Sequence, residues 1–222
     1  MKEASLTSHP TRDFQASNWD EMGVIREPNY NLVHWPRPQD VAITNFLESL
    51  ITKDPLPPSL RETLKATEVA DRLRDHLAPY ASEGQKEGFE RLCKDVGELA
   101  VSFSKLASSP SLRTTFALIQ NDMCRLFHTD AIELRLLCTY VGPGTLWVPD
   151  QFVNWDKMNE PSNEARVKDM AEVRQFAPFE LGVLKGAMYD ANNGQAVLHK
   201  SPTVTDHKIV RALLRIDSQV AW

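Results

Sequence analysis

Cysteine is scarce in this chain. Its 222 residues include only Cys93, Cys124 and Cys138, and no two of them are spaced as CxxC. An odd, scattered set argues against a disulfide framework or a structural zinc knuckle, and fits reduced thiols in a cytoplasm. A basic surplus is also missing. The net charge is −5, so nothing in the composition points to nucleic acid as a partner. No run approaches the roughly 18 apolar residues of a membrane helix, so no membrane association is expected. Residues 1–23 are polar and lack the apolar core of a signal peptide, which makes 1–25 read as a flexible tail. There is no internal repeat and no low-complexity segment.

What is present falls into two regimes. Up to about residue 126 the apolar spacing is helical. Residues 38–52 carry Val41, Ile43, Phe46, Leu47 and Leu50 on one stripe. After the break at Asp54–Pro58, Ser59 and Glu62 resemble a capping box, ahead of Leu60, Leu64, Val69, Leu73 and Leu77. Residues 83–107 repeat Phe89, Leu92, Cys93, Val96, Leu99, Phe103 and Leu106 at intervals of three and four. A fourth helix is predicted from Ser109-Pro110, with Leu112, Phe116, Ile119 and Met123 on one side.

Then the period changes. Residues 131–141, 146–148, 179–186, 196–199 and 209–216 read as short strands, with turns at Gly142-Pro143-Gly144 and Asn192-Asn193-Gly194. Residues 150–175 are polar and irregular. The pattern predicts an α+β fold. A helical N-terminal half, 26–125, packs on the outer face of a double-stranded β-helix (jelly-roll or cupin-like) core, 126–222, and 26–222 forms one compact domain.

One group of residues carries chemistry. His128-Thr129-Asp130 precedes a distant His199. Two histidines and a carboxylate in that order are how a facial triad for non-haem Fe(II) is written, although imidazole and carboxylate suit Zn²⁺ as well. In a strand, residues i and i+2 share a face, so His128 and Asp130 project together, and Tyr140 has the same parity. Taken alone, the pair is equally a packed histidine and a turn cap. His207, in a polar loop, is a rival third ligand. Cys124 is a soft donor within reach, or simply a small core residue. Further along, Arg211, Leu213, Arg215 and Asp217 share one strand face. A cation on an inward face needs an anion, and the planar guanidinium fork suits a carboxylate.

The stretch Arg135-Leu-Leu-Cys-Thr-Tyr-Val-Gly-Pro-Gly-Thr-Leu-Trp-Val-Pro149 resembles the strand, glycine turn and proline-ended strand that follow the HxD in prolyl-hydroxylase-like Fe(II)/2-oxoglutarate oxygenases, and the segment Ala196-Val-Leu-His199-Lys-Ser-Pro202 is similar to their distal-histidine strand. The resemblance implies a metal held by His128, Asp130 and His199, with O₂ as co-reactant. It also implies 2-oxoglutarate bound through Arg211, twelve residues after His199, in preference to Arg215, with Tyr140 lining the pocket. A small molecule or peptide would be the substrate.

A closer resemblance is to domain-of-unknown-function family 1826. It rests on Asn31-Leu-Val-His-Trp35-Pro-Arg37, Cys124-Arg-Leu-Phe-His128-Thr-Asp130, the 135–149 stretch, Lys185-Gly186, His199–Pro202 and Arg211–Asp217. It implies a bacterial cytoplasmic protein and keeps open a non-catalytic role in zinc homeostasis. At Arg215 the chain departs from this resemblance, which implies a small residue such as threonine there.

Overall fold

The computed structural model describes residues 11–189, 196–207 and 209–218. Helices and strands are mixed along the described residues, around a core of two sheets. The larger sheet has seven strands: β1 (Asp13–Gln15), β2 (Leu32–Trp35), β3 (Leu60–Lys65), β4 (Ser111–Ile119), β5 (Leu134–Val141), β8 (Leu181–Lys185) and β10 (Arg211–Ser218). Their spatial order is β1-β2-β8-β5-β10-β4-β3. The smaller sheet is β7 (Arg174–Gln175), β6 (Leu146–Val148) and β9 (Leu198–Lys200), in that order.

From β4 onward the chain shuttles between the sheets. β4 is in the large sheet, and His128 pairs with His199 of β9 at the edge of the small one. β5 returns to the large sheet, β6 and β7 lie in the small, β8 in the large, β9 in the small and β10 in the large. All pairings among these strands are antiparallel.

Strand parity then sorts the side chains into layers. Leu136, Cys138, Tyr140, Leu214 and Ile216 face a helical layer. Leu137, Leu184 and Leu213 face the small sheet, where they meet Trp147 and Phe176. The helical layer is α1 (Val41–Ile51), α2 (Val69–Leu77) and α3 (Lys86–Leu106). Asp40 caps α1 by accepting from the amides of Ala42 and Ile43, at 2.9 and 3.2 Å. α3 buries the whole predicted stripe from Phe89 to Leu106. Each fully buried leucine or phenylalanine there contributes about 2 kcal/mol. Gly88 lets α1 approach α3, because a Cβ would lie 2.0 Å from the Ala42 carbonyl oxygen. Among the described residues, no helix is long and apolar enough to cross a membrane.

The N-terminal half is therefore not wholly helical. Residues 60–65 and 111–119, predicted as helix, are the paired strands β3 and β4. Leu60 and Leu64 are spaced four apart, which satisfies a helix and a strand face alike. β4 is buried on both faces, so its Leu112, Phe116 and Ile119 mimic helical spacing. Nor does the polar leader stay apart from the fold. Asp13–Gln15 pairs with β2, and Met22 and Ile25 are fully buried in a 3₁₀ helix. The predicted turn at Asn192–Gly194 lies outside the described residues.

Candidate metal centre

β5 begins only at Leu134, so His128 and Asp130 do not sit in a continuous strand. What positions His128 is a single antiparallel bridge. Its amide donates to the His199 carbonyl at 2.9 Å, and the His199 amide donates back at 3.0 Å. Residues paired in this way lie directly opposite one another with their side chains on one face. The two imidazole rings are accordingly 4.7 Å apart. Asp130, two residues on, turns back toward them. Its carboxylate lies 3.1 Å from His199 Nε2 and 3.6 Å from His128 Nε2. Ligand atoms of all three residues fall within 4.8 Å of one another, the single such group of His, Cys, Asp and Glu among the described residues.

The imidazoles are oriented alike. His128 Nδ1 is 3.1 Å from the Leu126 carbonyl oxygen, and His199 Nδ1 is 3.1 Å from that of Val197. A carbonyl oxygen only accepts, so each Nδ1 carries a hydrogen. A protonated ring can then donate Nε2–H to Asp130, and the neutral ring, having lost that hydrogen, offers its Nε2 lone pair to a metal on the same side. Fixing a tautomer through the remote nitrogen is how proteins prepare histidine for a metal.

Asp130 is held from behind. The Arg135 guanidinium donates Nη1–H to Asp130 Oδ2. It also donates Nε–H and Nη2–H to the two oxygens of Asp217, at 2.6 and 3.1 Å. Burial alone would raise the Asp130 carboxyl pKa. Hydrogen bonds from His128 and His199, with the charges of His199 and Arg135, instead hold it far below the usual carboxylate range. His128 is raised in turn, chiefly by its hydrogen bond to Asp130. Burial works against the charge on Arg135, but Asp217 and Asp130 outweigh it and raise that pKa.

Two further arginines point the same way from β10. Arg211 is 1% exposed and, among the described residues, donates to the hydroxyls of Thr139 and Thr145, at 3.3 and 3.4 Å. Its Nε–H has no partner, and no described carboxylate pairs with it. Burial lowers its pKa to about 10. Arg215 lies four residues along. It borders a cavity of about 50 Å³ that His128, His199, Arg135 and Thr145 also line. A cleft of about 310 Å³ adjoins this cavity and shares Cys124, Lys200 and Ser201 with it.

Tyr140 is elsewhere. The bend at 131–133 breaks the parity counted from His128, and Tyr140 faces the helical layer. Its hydroxyl donates to Asp95 Oδ2 at 2.6 Å, and Arg37 holds the same carboxylate at 2.6 Å. The expected pocket role for Tyr140 is therefore withdrawn. Tyr140→Phe is expected to leave metal binding unchanged and to lower stability by about 1 kcal/mol, read from thermal melts with and without metal. Cys124 borders the cavity but is not in the ligand group. The His207 side chain is outside the described residues.

Arg135 and Asp217 are the site residues that sequence reasoning did not single out for this purpose. Asp217 was visible as an inward charge. Its partner was not, because the inward parity of Arg135 depends on where β5 starts.

The fold and the cluster together define a two-sheet chain that presents a His–Asp–His group with the donor types of a metal site. The chain belongs to the DUF1826 family, described as proteins of unknown function, whose match spans residues 16–217. No curated protein matches it. Among solved structures it is similar to dioxygenase for auxin oxidation 1 from Arabidopsis thaliana in its 2-oxoglutarate complex. That likeness has 11% identity and a TM-score of 0.47, covering 96% of this chain and 94% of that one. It is also similar to a Pseudomonas putida prolyl-4-hydroxylase, at 14% identity and a TM-score of 0.33, over 84% of this chain and 99% of that one. Both likenesses are too distant for activity to follow from them.

Proposed function

We propose that the chain is a non-haem Fe(II) oxygenase that uses 2-oxoglutarate, built on a jelly-roll core. The passage of eight antiparallel-paired segments, from β4 to β10, between the two sheets supports the jelly-roll reading. The donor set fits the metal, with two imidazoles of fixed tautomer and one carboxylate, close together and partly enclosed. His128, Asp130 and His199 would hold it. A ferrous ion with 2-oxoglutarate and O₂ supplies oxidising power for a C–H bond.

The observation that carries the cosubstrate is Arg211. A fully buried guanidinium with an orphan Nε–H and no acid beside it is costly unless an anion completes it. It projects from the same face of β10 as Arg215, and its hydroxyl partner Thr145 borders the cavity beside the histidines. In this reading Arg211, Thr139 and Thr145 receive the far carboxylate of 2-oxoglutarate. Arg135 keeps Asp130 oriented, and the apolar layer of Leu137 and Leu213 excludes water.

The test is spectroscopic. Fe(II) is added anaerobically, followed by 2-oxoglutarate, and a weak visible charge-transfer band is expected. Arg211→Gln should weaken 2-oxoglutarate at least tenfold while leaving metal affinity near wild type. No band in the wild type, together with tight stoichiometric Zn²⁺ binding, would sink the reading.

One observation favours a second reading, a non-catalytic zinc protein. The cavity beside the triad, about 50 Å³, offers room for little more than water. In that case Zn²⁺ binds and 2-oxoglutarate does not.

A further inference from the structure

Building on the oxygenase reading, we propose that Arg215 is a substrate-binding residue and that the substrate is a small organic acid, whose carboxylate Arg215 receives beside the metal.

The two arginines of β10 occupy different ends of one face. At about 3.3 Å per residue, Arg211 and Arg215 are roughly 13 Å apart along the strand. Register orders them relative to the triad. Asp217 stands opposite Arg135, whose guanidinium holds Asp130, and Arg215 stands opposite Leu137. Arg211 is at the far end, opposite Ile119 of β4. Arg215 is thus the arginine on the metal side, and it borders the cavity with both histidines.

Its charge is poorly answered. On this face, among the described residues, Arg113, Arg135, Arg211 and Arg215 meet two carboxylates, Asp130 and Asp217. Arg135 takes one oxygen of Asp130 and both of Asp217. Arg215 Nε lies 3.5 Å from Asp217 Oδ2, an ion pair without a hydrogen bond, and the atom is buried with no hydrogen-bond partner. Burial lowers the Arg215 pKa; Asp217 and Asp130 pull it back up, but Arg135 and Arg113 of β4 oppose them and the net direction stays down. With Arg211 assigned to the cosubstrate, Arg215 is the remaining cation of β10, and a divalent metal only adds positive charge. The side chain is a quarter exposed, so its head can be reached. The approach is the adjoining 310 Å³ cleft, where Lys200 and Arg125 are balanced by Asp122 and Asp206, so the selective positive charge is that of Arg215. An acid entering there would seat its carboxylate on the planar fork of Arg215 and hold its carbon skeleton at the metal.

The probe is acetate, with acetamide as its neutral isostere. Each is titrated at constant ionic strength into the full chain loaded with Zn²⁺ and 2-oxoglutarate, and followed by calorimetry. Acetate should bind saturably and acetamide at least tenfold more weakly. Arg215→Gln should weaken acetate at least tenfold, and Arg215→Lys, which keeps the charge without the fork, should fall between. In parallel, the anaerobic Fe(II)·2-oxoglutarate band should survive Arg215→Gln unchanged and need at least tenfold more 2-oxoglutarate in Arg211→Gln. The proposal is overturned by acetate affinity unchanged in Arg215→Gln, by equal binding of acetamide, or by loss of the band in Arg215→Gln. Absence of the band from the wild type overturns the oxygenase reading instead, so the two failures are told apart.

Discussion

His199→Ala should weaken divalent-metal binding by about 10²- to 10³-fold. The scale follows from structural zinc sites, whose 10–16 kcal/mol is shared by four ligands, giving about 3 kcal/mol each. His199 is the residue to test because its backbone does a separate job. Its amide and carbonyl make the bridge that positions His128, and alanine keeps both groups. The loss therefore reports the imidazole and not the bridge, and a thermal melt of the metal-free variant should show only the cost of the imidazole's own hydrogen bonds, about 1–3 kcal/mol. The site also makes a statement about pH. In the metal-free protein Asp130 raises the His128 pKa, so a proton competes with the metal for Nε2. Affinity should fall as pH drops through the range where His128 protonates. Calorimetry with Zn²⁺ at several pH values measures both effects. Undiminished affinity in His199→Ala would remove this histidine from the site.

The triad was legible as residue types, but not for the reason the strand pattern offers. Its convergence does not come from i, i+2 parity. It comes from the His128–His199 bridge, a contact between residues 71 positions apart that no local period encodes. Counting parity from His128 is also what misplaced Tyr140, since the bend before Leu134 resets the phase. Arg211 and Arg215 were legible as inward cations because β10 is regular from Arg211 to Ser218. The long α3 stripe is equally plain, since a helix buried on one face writes its period directly. β3 and β4 were not legible. One has leucines spaced for either structure, and the other is covered on both sides, so neither shows the alternation of a half-buried strand.

Asp217→Ala should cost about 3–5 kcal/mol, because it strands a charge instead of simply deleting a contact. The Asp217 side chain is 4% exposed and receives two hydrogen bonds from Arg135. Removing it leaves Arg135 buried with Asp130 as its only acid, and deprives Arg215 of its nearest carboxylate. At about 2–4 °C per kcal/mol for a chain of this size, the melting midpoint should fall by roughly 6–20 °C. Metal affinity should fall as well, by about 10–100-fold, since Arg135 has lost the two hydrogen bonds that anchor it and no longer holds Asp130 in a fixed position before the histidines. The two effects separate in a double variant. Arg135→Met with Asp217→Leu removes both charges together and fills their volume with apolar groups, an exchange that is often neutral for stability. Its melting midpoint should recover most of the loss. Its metal affinity should stay low, because Asp130 still lacks the guanidinium that aims it. Recovery of both quantities would make Arg135 a structural ion pair that happens to touch the site. Recovery of the midpoint alone marks it as the residue that positions Asp130.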